Sequence, residues 1–221
     1  MRILSTNFFK DISEIDKVYN PGCSDWQEEL GAYQIKTTLQ GAPDMLENAE
    51  FGFIKDNKPW IGLFKQALDM LPTVCEEYNV EADTLDDIWM SFLKDTWDLD
   101  NPTITERSNS DVHLDYFDDY TTIINLQIYM SDNTPPEAGT CFWTHTGETK
   151  DLKPIGDHGE SLDIPGEWRF REQVPFARNT AFLYNAGPGG EYHSAPLTED
   201  LIEKEVPSHE RIVIIVRYRF K

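Results

Sequence analysis

Apolar positions along the chain follow two textures. In the first hundred residues they recur at spacings of three and four. Leu85, Ile88, Trp89, Phe92 and Leu93 form one such stripe, and Thr84 followed by Asp87 has the form of a capping box. This predicts an amphipathic helix over 84–97, closed by Asn101-Pro102. Ile61, Phe64, Leu68 and Leu71 predict a second helix over 60–78, which Pro72 should kink or split. A shorter helix is predicted over 11–19, and 33–39 (YQIKTTL) reads as a strand.

From residue 103 the pattern changes. Thr, Ile, Val, Tyr and Phe dominate, and Gly and Pro punctuate at short intervals. Residues 121–130 (TTIINLQIYM), 140–144, 169–174, 179–184 and 211–220 are strand candidates. Pro135-Pro136, Gly139, Pro165-Gly166 and Gly187-Pro188-Gly189-Gly190 are turn candidates. Many short strands so spaced predict an antiparallel sandwich, barrel or jelly roll. The expected fold class is α+β, as a single domain over 1–221. Its first part, 1–101, is mainly helical and buttresses an all-β core over 102–221.

Composition narrows the function classes. The chain has 221 residues and a formal charge of −21, and both halves are acidic. No basic arm or basic half is present, which counts against nucleic acid as a partner and against docking on anionic lipid. The longest aliphatic run, 212–216, is far short of a membrane span. The first ten residues lack the charged-then-apolar order of a signal peptide. Three widely separated cysteines give no disulfide frame and no CxxC metal knot. A cytoplasmic protein is expected.

Five histidines carry the candidate chemistry. In His113-Leu114-Asp115 an imidazole and a carboxylate stand two residues apart, so on a strand both point to one face and can reach one ion. His193 follows the Gly-rich turn and opens a new extended segment, and it is the best third ligand. Two imidazoles and one carboxylate make the facial set that leaves open positions on iron(II). His158-Gly159-Glu160 has the same spacing, but its Gly- and charge-rich surroundings read as a solvated loop. The bland reading of His113 and Asp115 is a surface His beside a solvated carboxylate.

The last strand candidate starts with Arg211. A guanidinium entering a run of Ile and Val needs a paired anion if that strand is central, and a small dicarboxylate would serve. Arg217 shares the strand face of Arg211, although ordinary pairing with the surplus carboxylates explains Arg217 and Arg219 equally well. On 121–130, Asn125, Gln127 and Tyr129 share one face, so Gln127 and Tyr129 can donate to a bound carboxylate. Phe142, Trp143, Trp168, Arg169 and Arg171 are candidates for the rim of a site.

The order His113-x-Asp115, a strand ending IYMSD, Gly139-Thr140, His193 and then Arg211 resembles the iron(II)- and 2-oxoglutarate-dependent oxygenases, within them the prolyl-hydroxylase-like branch and its small stand-alone marine bacterial and phage forms. The resemblance covers 103–221. It implies a double-stranded β-helix (jelly roll) core and iron ligation by His113, Asp115 and His193. It further implies 2-oxoglutarate held by Arg211 with Tyr129, and a reaction with dioxygen that hydroxylates a substrate and releases succinate and CO2. Ascorbate is a further cofactor for such chemistry. The spacing of Arg211 and Arg217 is similar to the nucleic-acid dealkylating branch, where the second Arg also helps hold 2-oxoglutarate. The chain departs from the pattern at Ala138-Gly139-Thr140, where a Gly pair is common, and at Val213, where Ser or Thr is common. The interval from His193 to Arg211 is also long, and the charged stretch 198–210 reads as a surface insertion. A small molecule, amino acid or peptide is the expected substrate. Two other classes compete: a non-enzymatic jelly-roll binding module, and a cupin-like metalloenzyme that does not use 2-oxoglutarate. The oxygenase reading needs His113, Asp115, His193 and Arg211 to converge on one cavity, whereas the cupin-like reading does not need Arg211 to face the metal.

Overall fold

A computed structural model describes residues 2–12, 32–38, 65–100, 112–115, 120–145, 153–155, 161–163 and 168–221. Its strands are β1 (Arg2–Ser5), β2 (Ala32–Thr38), β3 (Leu85–Trp97), β4 (Thr122–Tyr129), β5 (Thr140–His145), β6 (Lys153–Ile155), β7 (Ser161–Asp163), β8 (Trp168–Val174), β9 (Ala181–Asn185), β10 (Tyr192–Ser194) and β11 (His209–Phe220). Its helices are α1 (Leu71–Tyr78) and α2 (Thr198–Glu203). The described residues are mostly β-sheet with few helices, arranged as a jelly-roll-like sandwich.

The larger sheet has the order β1-β9-β4-β11-β3-β2, and every neighbouring pair is antiparallel. The smaller sheet has the order β10-β5-β8, also antiparallel. β6 and β7 form a separate two-stranded ribbon. His113 adds one more rung beside His193 of β10.

Both faces of the larger sheet are covered. Ile124, Leu126 and Ile128 of β4, Ile214, Val216 and Tyr218 of β11, and Ala181 and Leu183 of β9 point to one side. There they meet Ala67, Leu71 and Val74 of the helical stretch, with Phe9 of the N-terminal segment. The opposite parity, Tyr129, Val213, Ile215, Phe182 and Tyr184, meets Phe142, Val174 and Phe176 from the side of the smaller sheet. A fully buried side chain of this size contributes about 1.5–3 kcal/mol. The double burial accounts for the near-continuous apolar run of 212–216, which a sheet wetted on one face would not show.

The expected strands over 121–130, 140–144, 169–174, 179–184, 211–220 and 33–39 appear as β4, β5, β8, β9, β11 and β2. The helix over 60–78 is described from residue 65. It is helical at 65–69, turns at Met70 and resumes as α1 with Pro72 in its first turn. The proline thus splits it, since its nitrogen offers no hydrogen for the preceding turn. α1 ends at Asn79, which is left-handed at φ 52° and closes the last turn by bonding Cys75 O. Most of the helix expected over 11–19, and the stop at Asn101-Pro102, lie outside the described residues.

The helix expected over 84–97 is instead β3, which pairs with β11 from Leu85 to Trp97. The spacing of three and four misled because both faces of this strand carry apolar groups, so no polar alternation marks it. Ile88 and Met90 face the helix-covered side. Asp87 lies on the opposite face, buried at 1% exposure against Arg219. Thr84 does not cap a helix; its hydroxyl donates to Glu81 O in a 3-10 turn (2.8 Å). Among the described residues of 1–101, β1, β2 and β3 stand beside the helical stretch 65–78.

The stretch 198–210 is more than a surface insertion. It carries α2, and Leu201 and Val206 pack on Trp97, whose indole donates to Val206 O (3.1 Å). Among the described residues no helix is long and apolar enough to cross a membrane.

Candidate metal centre

The backbone assembles the centre from three places. His113 and His193 exchange both N–H···O bonds at 3.0 Å, which sets the two imidazoles side by side on neighbouring strands. Their ring centroids are 4.4 Å apart. Two residues on, Asp115 N–H donates to Ala186 O (2.7 Å), just past β9. The short segment 113–115 thus leans on β10 at one end and on the end of a larger-sheet strand at the other. The turn between β9 and β10 brings the chain across. Gly189 takes φ 72°, and a Cβ at Gly190 would stand 2.3 Å from Asn185 O, so neither accepts a side chain without rearrangement.

One ligand atom from each of His113, Asp115 and His193 lies within 4.8 Å of the other two, and together they can hold a metal ion. His113 Nε2 is 3.8 Å from Asp115 Oδ1. His193 Nδ1 is bonded to Glu191 O (3.0 Å), which leaves Nε2 as the ligating nitrogen. Burial raises the Asp115 carboxyl, but the Arg217 guanidinium, the two histidines and a bond from Asn125 outweigh it, holding its pKa at about 2. Burial lowers the His193 imidazole, with His113 adding to it, to about 4. At neutral pH the carboxylate is ionised and the His193 imidazole neutral, as ligation requires. Two imidazoles and one carboxylate suit iron(II).

The Asp115 environment comes from one row of side chains across the larger sheet. Arg217 of β11 stands opposite Asn125 of β4, which stands opposite Tyr184 of β9. Asp115 Oδ2 accepts from Asn125 Nδ2 (2.8 Å) and from Arg217 Nε (3.1 Å). Asn125 Nδ2 also donates to the Tyr184 hydroxyl (3.1 Å), and that hydroxyl donates to Gln127 Oε1 (3.1 Å). Gln127 Nε2 donates to Thr140 Oγ1 (2.8 Å), and so does Arg211 Nη2 (3.1 Å). Arg211 Nε donates to Ala138 O (2.9 Å). A continuous hydrogen-bonded chain therefore runs through the sandwich from Asp115 to Arg211.

His113, Asp115 and His193 come together, and Gln127 and Arg211 join them through this chain. Arg211 is buried at 6% exposure. Tyr129 lies beside Thr140, whose N–H donates to its hydroxyl (2.7 Å), while that hydroxyl donates to Val174 O (2.9 Å). Burial pushes the Tyr129 phenol up to about 12, so it stays a neutral donor. Arg217 lies at the Asp115 end.

Of the rim candidates, Phe142 is wholly inside the sandwich and Trp143 is buried, its indole donating to Ser194 Oγ (2.9 Å). Trp168 packs on His145 and Tyr192. Arg171 pairs with Glu191 and Glu172, and Arg169 is exposed on β8. His158 lies outside the described residues.

Reading the sequence missed Tyr184 and Thr140 as members of the interior. Tyr184 carries a hydroxyl in an otherwise apolar β9 at the parity of Phe182, and that was its one signal.

No protein-family model matches the chain, and no curated protein matches it. Among solved structures the chain is similar to a prolyl-4-hydroxylase of Pseudomonas putida. The identity is 12%, the TM-score 0.37, and the alignment covers 97% of this chain and 90% of that one.

Proposed function

We propose that the chain is a cytoplasmic, single-domain iron(II)- and 2-oxoglutarate-dependent oxygenase with a double-stranded β-helix core. It hydroxylates an amino acid, peptide or other small molecule, with release of succinate and CO2. The observation that carries the reading is the meeting of His113, Asp115 and His193 donors within 4.8 Å at the end of a polar interior whose other end is Arg211. The strand order supports it. Segments 85–97, 122–129, 181–185 and 209–220 lie in the larger sheet, 140–145, 168–174 and 192–194 form the smaller one, and His113 bridges to the latter. Six strands face three, with His113 adding a rung beside His193, and the chain passes repeatedly between the two sheets, which supports a jelly-roll plan.

His113, Asp115 and His193 would hold the iron, which would supply the oxidising chemistry with dioxygen and 2-oxoglutarate. The protein's share is binding, orientation and exclusion of water. Asp115 provides a full negative charge beside two imidazoles. Arg211, its fork fixed by Ala138 O and Thr140 Oγ1, holds the distal carboxylate of 2-oxoglutarate, with Gln127 as a neutral donor nearby and Tyr129 fixing Thr140 by accepting its N–H. Phe142, Phe182 and Tyr184 keep the interior dry.

The test is succinate release from iron-loaded protein over a panel of amino acids, peptides and small metabolites, with Asp115→Ala as control. Succinate that depends on iron and on Asp115 is the expected result. Metal binding with no succinate under any condition refutes the use of 2-oxoglutarate and favours a cupin-like reaction. Absence of metal binding refutes the enzyme reading and leaves a binding module.

A further inference from the structure

Resting on that reading, we propose that Arg217 and Asn125 are positioning residues that restrict Asp115 to one-oxygen ligation and so reserve a coordination position. The two oxygens of Asp115 have different surroundings. Oδ1 faces His113 Nε2 at 3.8 Å, on the side of the imidazoles. Oδ2 accepts two bonds, from Asn125 Nδ2 at 2.8 Å and from Arg217 Nε at 3.1 Å. The acceptor is an ionised carboxylate, so both bonds are charge-assisted, and the Arg217 guanidinium adds an opposite full charge.

The state of Asn125 points the same way. Its side chain is fully buried, and among the described residues its Oδ1 has no hydrogen-bond partner. A buried orphan acceptor is costly, so the orientation needs a reason. Turning the amide over would place Oδ1 against Asp115 Oδ2, oxygen to oxygen, and would remove the donor from the Tyr184 hydroxyl. The amide is therefore held for Asp115 at the expense of its own carbonyl. Position supports this as well. Arg217, Asn125 and Tyr184 are direct cross-strand neighbours in the middle of the larger sheet, so their spacing is fixed by the ladder and not by flexible loops.

The consequence follows from counting an octahedral shell. Two imidazoles and one carboxylate oxygen fill three positions of six. A 2-oxo acid that chelates through two oxygens takes two more, and one remains for dioxygen. If Asp115 closed down with both oxygens, no position would remain. Metal affinity alone would favour the second oxygen, since each carboxylate oxygen is a good donor. Keeping Oδ2 bonded to Arg217 and Asn125 opposes that closure.

The probe is Mn(II) alone, bound to the full-length protein without cosubstrate. The readout is the number of water molecules on the metal, measured from the broadening of its magnetic resonance lines in oxygen-17 water. The wild type is expected to carry three waters. Arg217→Gln and Asn125→Ala are each expected to carry two, and Arg217→Lys to restore three. A role confined to fold stability or metal affinity would change the binding constant, by about 10–100-fold for an outer-sphere residue, and leave the count at three. Three waters in both Arg217→Gln and Asn125→Ala overturns the proposal. Two waters in the wild type overturns it too, while leaving the metal site standing. No Mn(II) binding by folded wild type defeats the oxygenase reading itself. If Arg217→Gln fails to fold, Asn125→Ala carries the decision, because it removes a neutral contact and no charge.

Discussion

Replacing Arg211 by Ala isolates the cosubstrate end of the proposed site. The guanidinium is buried, enters the sandwich interior from β11, and bonds two neutral groups, Ala138 O at 2.9 Å and Thr140 Oγ1 at 3.1 Å. Those two bonds hold the fork in one plane. Losing a bidentate, largely buried pair with a carboxylate commonly costs about 3–5 kcal/mol. At 1.4 kcal/mol per decade, Arg211→Ala should weaken 2-oxoglutarate binding by on the order of 10²–10³-fold. The substitution also strips a donor from Ala138 O and Thr140 Oγ1, at about 1 kcal/mol each, and that loss falls on stability. Thermal unfolding is therefore measured first, and the titration is run well below the variant's midpoint. The assay is calorimetric titration of 2-oxoglutarate into anaerobic, metal-loaded protein. Arg211→Lys should fall between the two, because the charge remains and the fork is lost. The metal should bind all three proteins equally, since no ligand is touched. Equal 2-oxoglutarate affinity in all three would refute the assignment of Arg211, whatever the metal does.

Three further outcomes follow from the geometry. Gly139→Ala should destabilise by about 3 kcal/mol or more in urea unfolding, because the new Cβ would stand 1.9 Å from Val174 O, a backbone atom at the end of β8; a loss under 1 kcal/mol would show that the strand gives way easily. Asp87→Ala should cost about 3–5 kcal/mol by leaving Arg219 buried at 2% exposure without its carboxylate, whereas Asp87→Leu with Arg219→Met should recover most of that in the same assay; equal losses in single and double variants would contradict this. Metal-free protein should lose stability as pH falls from about 6.5 to 4, because His193, at about 4 in the fold against 6.5 when unfolded, makes the unfolded chain bind the extra proton. A second loss should follow from about 3.8 to 2, through Asp115. Urea unfolding against pH checks the sign, and an unchanged first slope in His193→Leu would count against the assignment.

The all-β half of the fold was legible because its strands are short, β-branched and bounded by Gly and Pro, and because 124–130 alternates polar with apolar. That alternation placed Asn125, Gln127 and Tyr129 on one face, and the structure has them on the interior side. β3 was not legible for a physical reason. Its inward face carries Asp87, whose partner Arg219 lies 132 positions away, and its outward face meets a helix. A strand with apolar residues at both parities writes no period of two, and chance spacings of three and four then read as helix. The triad was legible through its spacing and order, since His113 and Asp115 are i and i+2 on one short segment. Arg217 was legible as an inward residue, but nothing local distinguished a contact with 2-oxoglutarate from one with Asp115. Cross-strand register decides that, and it brings Asn125 directly opposite Arg217.

The polar interior also explains why an acidic protein places its arginines where it does. Arg211, Arg217 and Arg219 sit at alternate or nearly alternate positions of one strand, all on its inward face, each reaching a different partner from a different element. Arg211 meets the turn before β5, Arg217 meets Asp115, and Arg219 meets Asp87 of β3 and stacks 4.8 Å over Tyr120. A guanidinium inside a sandwich is tolerable only when its hydrogens are directed, and these are directed by three separate segments that must all be in register with β11. A slip of β11 by one residue would turn all three outward and send Ile212, Ile214 and Val216 inward, toward Asp115 and Thr140. The same arginines that serve the candidate site therefore also fix the register of the central strand, which ties the geometry of the metal ligands to the pairing of β4, β11 and β3 instead of to the surface loops.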